Sequence, residues 1–162
     1  REVLVNAFTR GGLFVTSQPG VVLNLESRKP ELVSWLQGLS DSLEPFDLHF
    51  SHRAYQEIMT FTAVAEDSPW FDGFDHQIEG AFDVACLCKV LPKFSGQRSR
   101  LKEPLTIVLA WAIDPNNPNP STIGEQLKTP NWEPVQPHLE ECATKALKMI
   151  RRLERTGFAS FA

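Results

Sequence analysis

The sequence predicts an α/β (α+β) fold: a mixed sheet of about five strands, opened by a three-stranded antiparallel meander and flanked by helices. Three observations carry this expectation. Runs of β-forming residues separated by glycine-containing turns occupy the stretch up to Glu26. A strongly apolar run, Leu105, Ile107, Leu109 and Trp111, has the character of a central strand buried on both faces. Elsewhere apolar residues recur every three or four positions, the period of a helix packed on one side.

Glu2–Arg10 reads as the first strand, and Gly11-Gly12 breaks it. Leu13–Ser17 and Val21–Glu26 follow as the second and third, joined through Gln18-Pro19-Gly20. Pro presets φ there and Gly accepts a positive φ, as a type II turn requires. A helix then starts near Pro30, a residue suited to a first turn. Leu32, Leu36, Leu39 and Leu43 lie on one of its faces, Val33 and Trp35 widen the stripe, and Pro45 ends it. Phe46, Leu48 and Phe50 alternate with Asp47, His49 and Ser51, the pattern of a half-buried strand. Ala54–Ala65 reads as a helix through Ala54, Ile58 and Phe61, or as a strand through Ile58–Val64; the helix is preferred. Ile78, Phe82, Ala85 and Cys88 mark the next helix, which Pro92 stops. A basic loop, Lys93–Lys102, leads to the apolar strand. The long loop Asp114–Trp132 follows, punctuated by Pro115, Pro118, Pro120 and Pro130. The last helix, Pro137–Arg155, has Leu139, Cys142, Ala146, Ile150 and Leu153 on one face, and Gly157 is its natural stop.

A chain of 162 residues with 42% hydrophobic and 22% charged positions has the make-up of one globular domain, 1–162, able to build a core without metal or disulfide. It begins with Arg1 rather than Met, and the expectation is a domain excised from a larger protein. No apolar run approaches the roughly 20 residues of a membrane-spanning helix, so no membrane contact is expected. Cys86, Cys88 and Cys142 make an odd count, and Cys86 and Cys88 are too close to staple a fold, which points to a reducing, intracellular setting such as cytoplasm or nucleus. The net charge of −4 argues neither for nor against nucleic acid.

The order strand, strand, strand, helix, strand, helix, helix, strand, helix resembles the ribonuclease H-like superfold. The segment Phe46–Ile58, a strand running directly into a helix, is similar to that family's fourth strand and its continuation. Leu105–Trp111, the long loop and the closing helix are similar to its last third. The resemblance implies two divalent metals held by carboxylates, one in the middle of the first strand, since a hard ion such as Mg²⁺ needs oxygen ligands. In this chain that position is Asn6 or close to it, and no Asp or Glu lies between Val3 and Glu26. The fourth-strand acid falls near Ser51 or His52; Glu31 stands at the first-helix position and Glu140 or Glu141 at the last-helix one. Two metals are not clamped without the central bridging ligand. The resemblance therefore implies a degenerate active site with no catalytic residue, no metal ligand and no cofactor.

Charge is segregated along the chain. Lys93, Arg98, Arg100 and Lys102 form a basic loop, with Lys89 before it, and Lys145, Lys148, Arg152 and Arg155 lie along one face of the last helix with Arg151 beside them. These two segments could bind phosphates or an acidic protein. They could equally be a solvated face with i, i+4 pairs to Glu141 and Glu154. Only Phe94 interleaves the basic loop, so no stacking pattern for single strands is present. Glu66, Asp67, Asp72, Asp75, Glu79 and Asp83 surround Trp70, Phe71 and Phe74. Trp70 and Phe71 could dock a partner, the acids could hold a cation, or the rings could cap the core. His49 with His52 and Cys86 with Cys88 lack zinc-pair spacing. A cysteine nucleophile with His49 or His76 as base needs a proximity that spacing does not show.

The expected function is a non-catalytic interaction domain that meets an acidic protein or a nucleic acid through the basic loop and the basic helix face. One rival is a metal-dependent nuclease or other hydrolase with carboxylates from Asp47, Glu57 and the acidic loop. The other is an oligomer-assembly domain that buries its aromatic loop.

Overall fold

The computed structural model of the protein describes residues 19–66 and 77–162. Through them run the α-helices α1 (Pro19–Arg28), α2 (Pro30–Leu43), α3 (His52–Ala65), α4 (Gln77–Lys89), α5 (Arg98–Ile113), α6 (Pro120–Gln126) and α7 (Glu140–Thr156). Turns of 3₁₀-helix at Glu44–Phe46 and Leu91–Lys93 link some of them. The sheet among the described residues is one antiparallel pair, β1 (Gly96–Gln97) and β2 (Phe158–Ala159), with Gly96 opposite Ala159. The chain is therefore mainly helical. The expected five-strand mixed sheet and the ribonuclease H-like arrangement are both overturned. The degenerate active site inferred from that arrangement goes with them. Strands expected at 2–10 and 13–17, and Asn6 with them, lie outside the described residues.

The corrections have physical causes. Val21–Glu26, expected as a strand, belongs to α1. Val22 and Leu25, one helical turn apart, are buried, while Leu23 is 65% exposed. A strand would have set Leu23 and Leu25 on one face. Leu105–Trp111, expected as a central strand, is the second half of α5, where Leu105, Thr106, Val108, Leu109, Ala110, Trp111 and Ala112 are all buried. A short continuous apolar run suits a buried strand or a central helix equally. Here α2, α6 and α7 all pack on α5, and burial on every side replaces a stripe. Phe46–Phe50 is not a strand either. Phe46 closes a 3₁₀ turn, Asp47 adopts φ 58°, and the Leu48 N–H donates to the Leu43 carbonyl at 3.2 Å. Leu48 and Phe50 are still buried, which is the source of the alternation. The long loop 114–132 holds α6, whose start is marked by Asn119, its side chain accepting from the Thr122 N–H at 3.1 Å, and by Pro120 in the first turn.

The helices expected from clean stripes are present. α2 spans Pro30–Leu43 with Leu32, Leu36, Leu39 and Leu43 buried. The segment after Phe50 is helix α3, capped by Ser51, whose Oγ accepts from the Ala54 N–H at 3.2 Å. α7 buries Cys142, Ala146, Ile150 and Leu153 and ends at Gly157, whose φ is 77°. It starts at Glu140, three residues later than the pattern suggested.

The core gathers around α5. Trp111 packs near Phe82 (ring centroids 6.3 Å apart), and Phe82 packs edge-on to Trp35 at 6.0 Å. The Trp111 indole donates to the Trp35 carbonyl at 2.9 Å, and the Trp35 indole donates to Asn116 Oδ1 at 2.8 Å. Among the described residues, no helix is long and apolar enough to cross a membrane.

Candidate functional site

α7 is strongly two-faced. Its buried side carries Cys142, Ala143, Ala146, Met149, Ile150 and Leu153 and packs mainly on α5. Its outer flank carries Lys145, Lys148, Arg152 and Arg155, whose steps of three and four keep them in one row. That row lines a groove of about 880 Å³. Pro130, Trp132, Pro134 and Pro137 form one wall, and Ser160 and Ala162 also line the groove.

The wall is pinned by Arg151. Its guanidinium donates to the carbonyls of Leu127 (3.0 Å), Thr129 (3.2 Å) and Trp132 (3.4 Å), and to Glu154 (3.0 Å). Arginine suits this role because its planar fork carries five donors in fixed directions. The opposite edge is held more lightly: Arg152 donates to the Ala162 carbonyl at 3.4 Å, and the Lys145 ammonium sits 4.8 Å from the Phe161 ring centroid. Burial, and then the neighbouring charges of Lys148 and Arg152, lower the pKa of Lys145 below the usual lysine value.

The pairing of cations separates this row from ordinary surface charge. Arg28 pairs with Glu66, Lys29 with Glu31, Arg53 and Lys89 with Glu57, Lys128 with Glu125 and Arg151 with Glu154. Of the eight basic residues singled out in the sequence, Lys102 reaches Glu154 at 3.9 Å. Among the described residues, Lys145, Lys148, Arg152, Arg155, Lys93, Arg98 and Arg100 have no carboxylate partner. Glu154, a candidate partner for the row, is held by Arg151 and Lys102 instead.

The basic segment 93–102 is not the loop that was expected. Lys93 closes a 3₁₀ turn and donates to the His49 carbonyl at 3.1 Å. Arg98, Arg100 and Lys102 sit at the start of α5, at the positive end of the helix dipole, where added cations are unfavourable. The Arg98 N–H donates to the Gly157 carbonyl at 3.0 Å, so the start of α5 adjoins the end of α7. The Arg98 and Lys102 side chains line a separate hollow with Ile107 and Pro120. Trp70 and Phe71, the two aromatic candidates, lie outside the described residues, as do Phe74 and His76.

Asp83 follows the acidic residues around Trp70 in the sequence. It is 4% exposed. Its Oδ2 accepts from the Glu141 N–H at 2.7 Å and its Oδ1 from the Cys142 N–H at 2.9 Å, so α4 supplies the cap that α7 lacks in its own sequence. Sequence reasoning missed this role; the signal that could have found it is a lone carboxylate inside Ala81-Phe-Asp-Val-Ala-Cys-Leu87.

Cys86 and Cys142 are buried at 0% and 1% exposure, and Cys88 at 5%. Burial pushes the Cys88 thiol up to about 12, and it raises Cys86 and Cys142 as well, with the Asp83 charge adding to both. Such thiols are not open to a substrate. A disulfide-exchange reagent at pH 8 is expected to leave the three unreacted in the folded protein and to titrate all three in denaturant. Fast reaction of any of them in the native state would contradict their burial. Glu57, a carboxylate of the hydrolase alternative, is taken up by Lys89 and Arg53. Among the described residues, no group of three or more His, Cys, Asp or Glu is placed to hold a metal.

A family model described as a domain of unknown function (DUF8727) matches residues 15–158. The chain belongs to that family. The DUF8727 match takes in α1 to α7, and with them the cationic row and the proline wall. No curated protein and no solved structure matches the chain.

Proposed function

We propose that this DUF8727 chain is a non-catalytic interaction domain that binds an anionic partner in the groove along α7. The observation that carries this reading is the row Lys145, Lys148, Arg152 and Arg155, four cations in one groove, none of them ion-paired with a described carboxylate. Like charges at i, i+3 and i, i+4 repel, and a surface that needed only solubility would intersperse acids among them. A bound anion relieves that repulsion. Arg98 and Arg100, next to the end of α7, extend the positive field beyond the groove without lining it.

Binding of poly-glutamate, followed by anisotropy of a labelled sample, tests the reading. Apparent affinity is expected to fall steeply as salt rises, because the interaction is mainly charge. The pair Lys148→Glu and Arg152→Glu is expected to weaken binding about tenfold or more. Arg98→Ala with Arg100→Ala is expected to change it by about twofold or less, since those side chains flank the site. Binding that ignores both salt and the reversal of Lys148 and Arg152 would refute the proposal.

A further inference from the structure

We infer that the occupant of the α7 groove is an extended acidic polypeptide segment of a partner protein, with aliphatic side chains between its carboxylates. This rests on the proposal that the groove is the binding site, and it adds the chemistry of what enters.

Three features of the groove select a polypeptide over a nucleic acid. First, its charge is mixed. Glu140 lines it in the first turn of α7, Glu133 lines it in the wall next to Trp132, and the four cations line it with them. A polynucleotide carries negative charge along its whole length and would set phosphates against those two carboxylates. A polypeptide can be acidic where it meets the cations and neutral or basic where it meets Glu133 and Glu140. Second, the groove offers no run of stacking faces. The Lys145 ammonium already covers Phe161, and Trp132 is half-buried against the core. Binding of single strands depends on stacking bases on such faces. Third, the wall of Pro130, Pro134 and Pro137 is apolar and offers no N–H from those residues, which suits aliphatic side chains better than phosphates.

The dimensions agree. Lys145 to Arg155 spans about 15 Å along the helix axis. An extended peptide covers that distance in about five residues, with alternate side chains on one face. Two or three carboxylates then meet the cations while the residues between them turn toward the proline wall or solvent. Arg151 supports this by holding the wall in place before the partner arrives. Little ordering is then left for the binding step.

Three fluorescein-labelled probes of equal length decide the matter at fixed salt: a decapeptide alternating glutamate and leucine, deca-glutamate, and a deoxythymidine ten-mer. The alternating peptide is expected to bind tightest. Trp132→Ala is expected to weaken it about tenfold, the effect of removing an aromatic anchor, and to leave deca-glutamate nearly unchanged. Glu133→Lys with Glu140→Lys is expected to strengthen the ten-mer more than the alternating peptide. A ten-mer that outbinds both peptides on the unaltered protein overturns the polypeptide assignment. If binding of all three probes is indifferent to Lys148→Glu with Arg152→Glu, the groove itself is not the site, and both readings fall.

Discussion

Replacing Asp83 by alanine is expected to lower the free energy of unfolding by about 3 kcal/mol. The carboxylate is almost wholly buried, and each of its oxygens takes a backbone N–H from the first turn of α7. Those N–H groups have no intrahelical partner, so the substitution strands them. It also removes a negative charge from the positive end of the helix. An ordinary side-chain cap contributes about 1 kcal/mol. The larger figure follows because Asp83 satisfies two donors and ties α4 to α7. Asp83→Asn keeps the shape and one acceptor and should fall between the wild type and alanine. Urea denaturation followed by far-UV circular dichroism measures all three proteins. A loss below about 1 kcal/mol for alanine would show that the first turn of α7 finds other partners.

Trp111→Ala is expected to be at least as damaging, at about 3–5 kcal/mol. Trp111 is 2% exposed in the last turn of α5, next to Phe82, and its indole donates to the Trp35 carbonyl. Truncation opens a cavity on the inner side of the helix and removes the indole's bond to that carbonyl. Trp111→Phe restores most of the volume but not the hydrogen bond, and should recover more than half of the loss. Thermal unfolding of the two variants separates packing from the hydrogen bond.

Where the hydrophobic pattern had one dry side and one wet side, the helices could be read directly. α2 and α7 show this, with leucines or small residues every three or four positions and Pro30 or Gly157 at an end. α5 could not be read that way, because burial on all sides erases the periodicity that distinguishes a helix from a strand. α1 misled for a different reason. Its Val-Val-Leu run favours strand locally, and contacts with α2 and α3 override that preference. Asn119-Pro120 was a readable helix start inside what looked like loop.

The candidate site divides along similar lines. Spacing alone set Lys145, Lys148, Arg152 and Arg155 in a row. It did not reveal which cations are neutralised, because Lys102 and Arg151 look no different in sequence yet both reach Glu154. Nor did it reveal the wall at 130–137, whose position depends on carbonyls that Arg151 collects from three separate residues.

Backbone amide shifts of ¹⁵N-labelled protein, followed during titration with poly-glutamate at low salt, test the central claim most directly. The account predicts that the largest changes fall on 144–155, on the non-proline residues of 130–137 and on 158–162, and that they disappear when Lys148 and Arg152 are reversed in charge. Changes centred instead on Arg98–Lys102, or none at all at saturating polyanion, would contradict it.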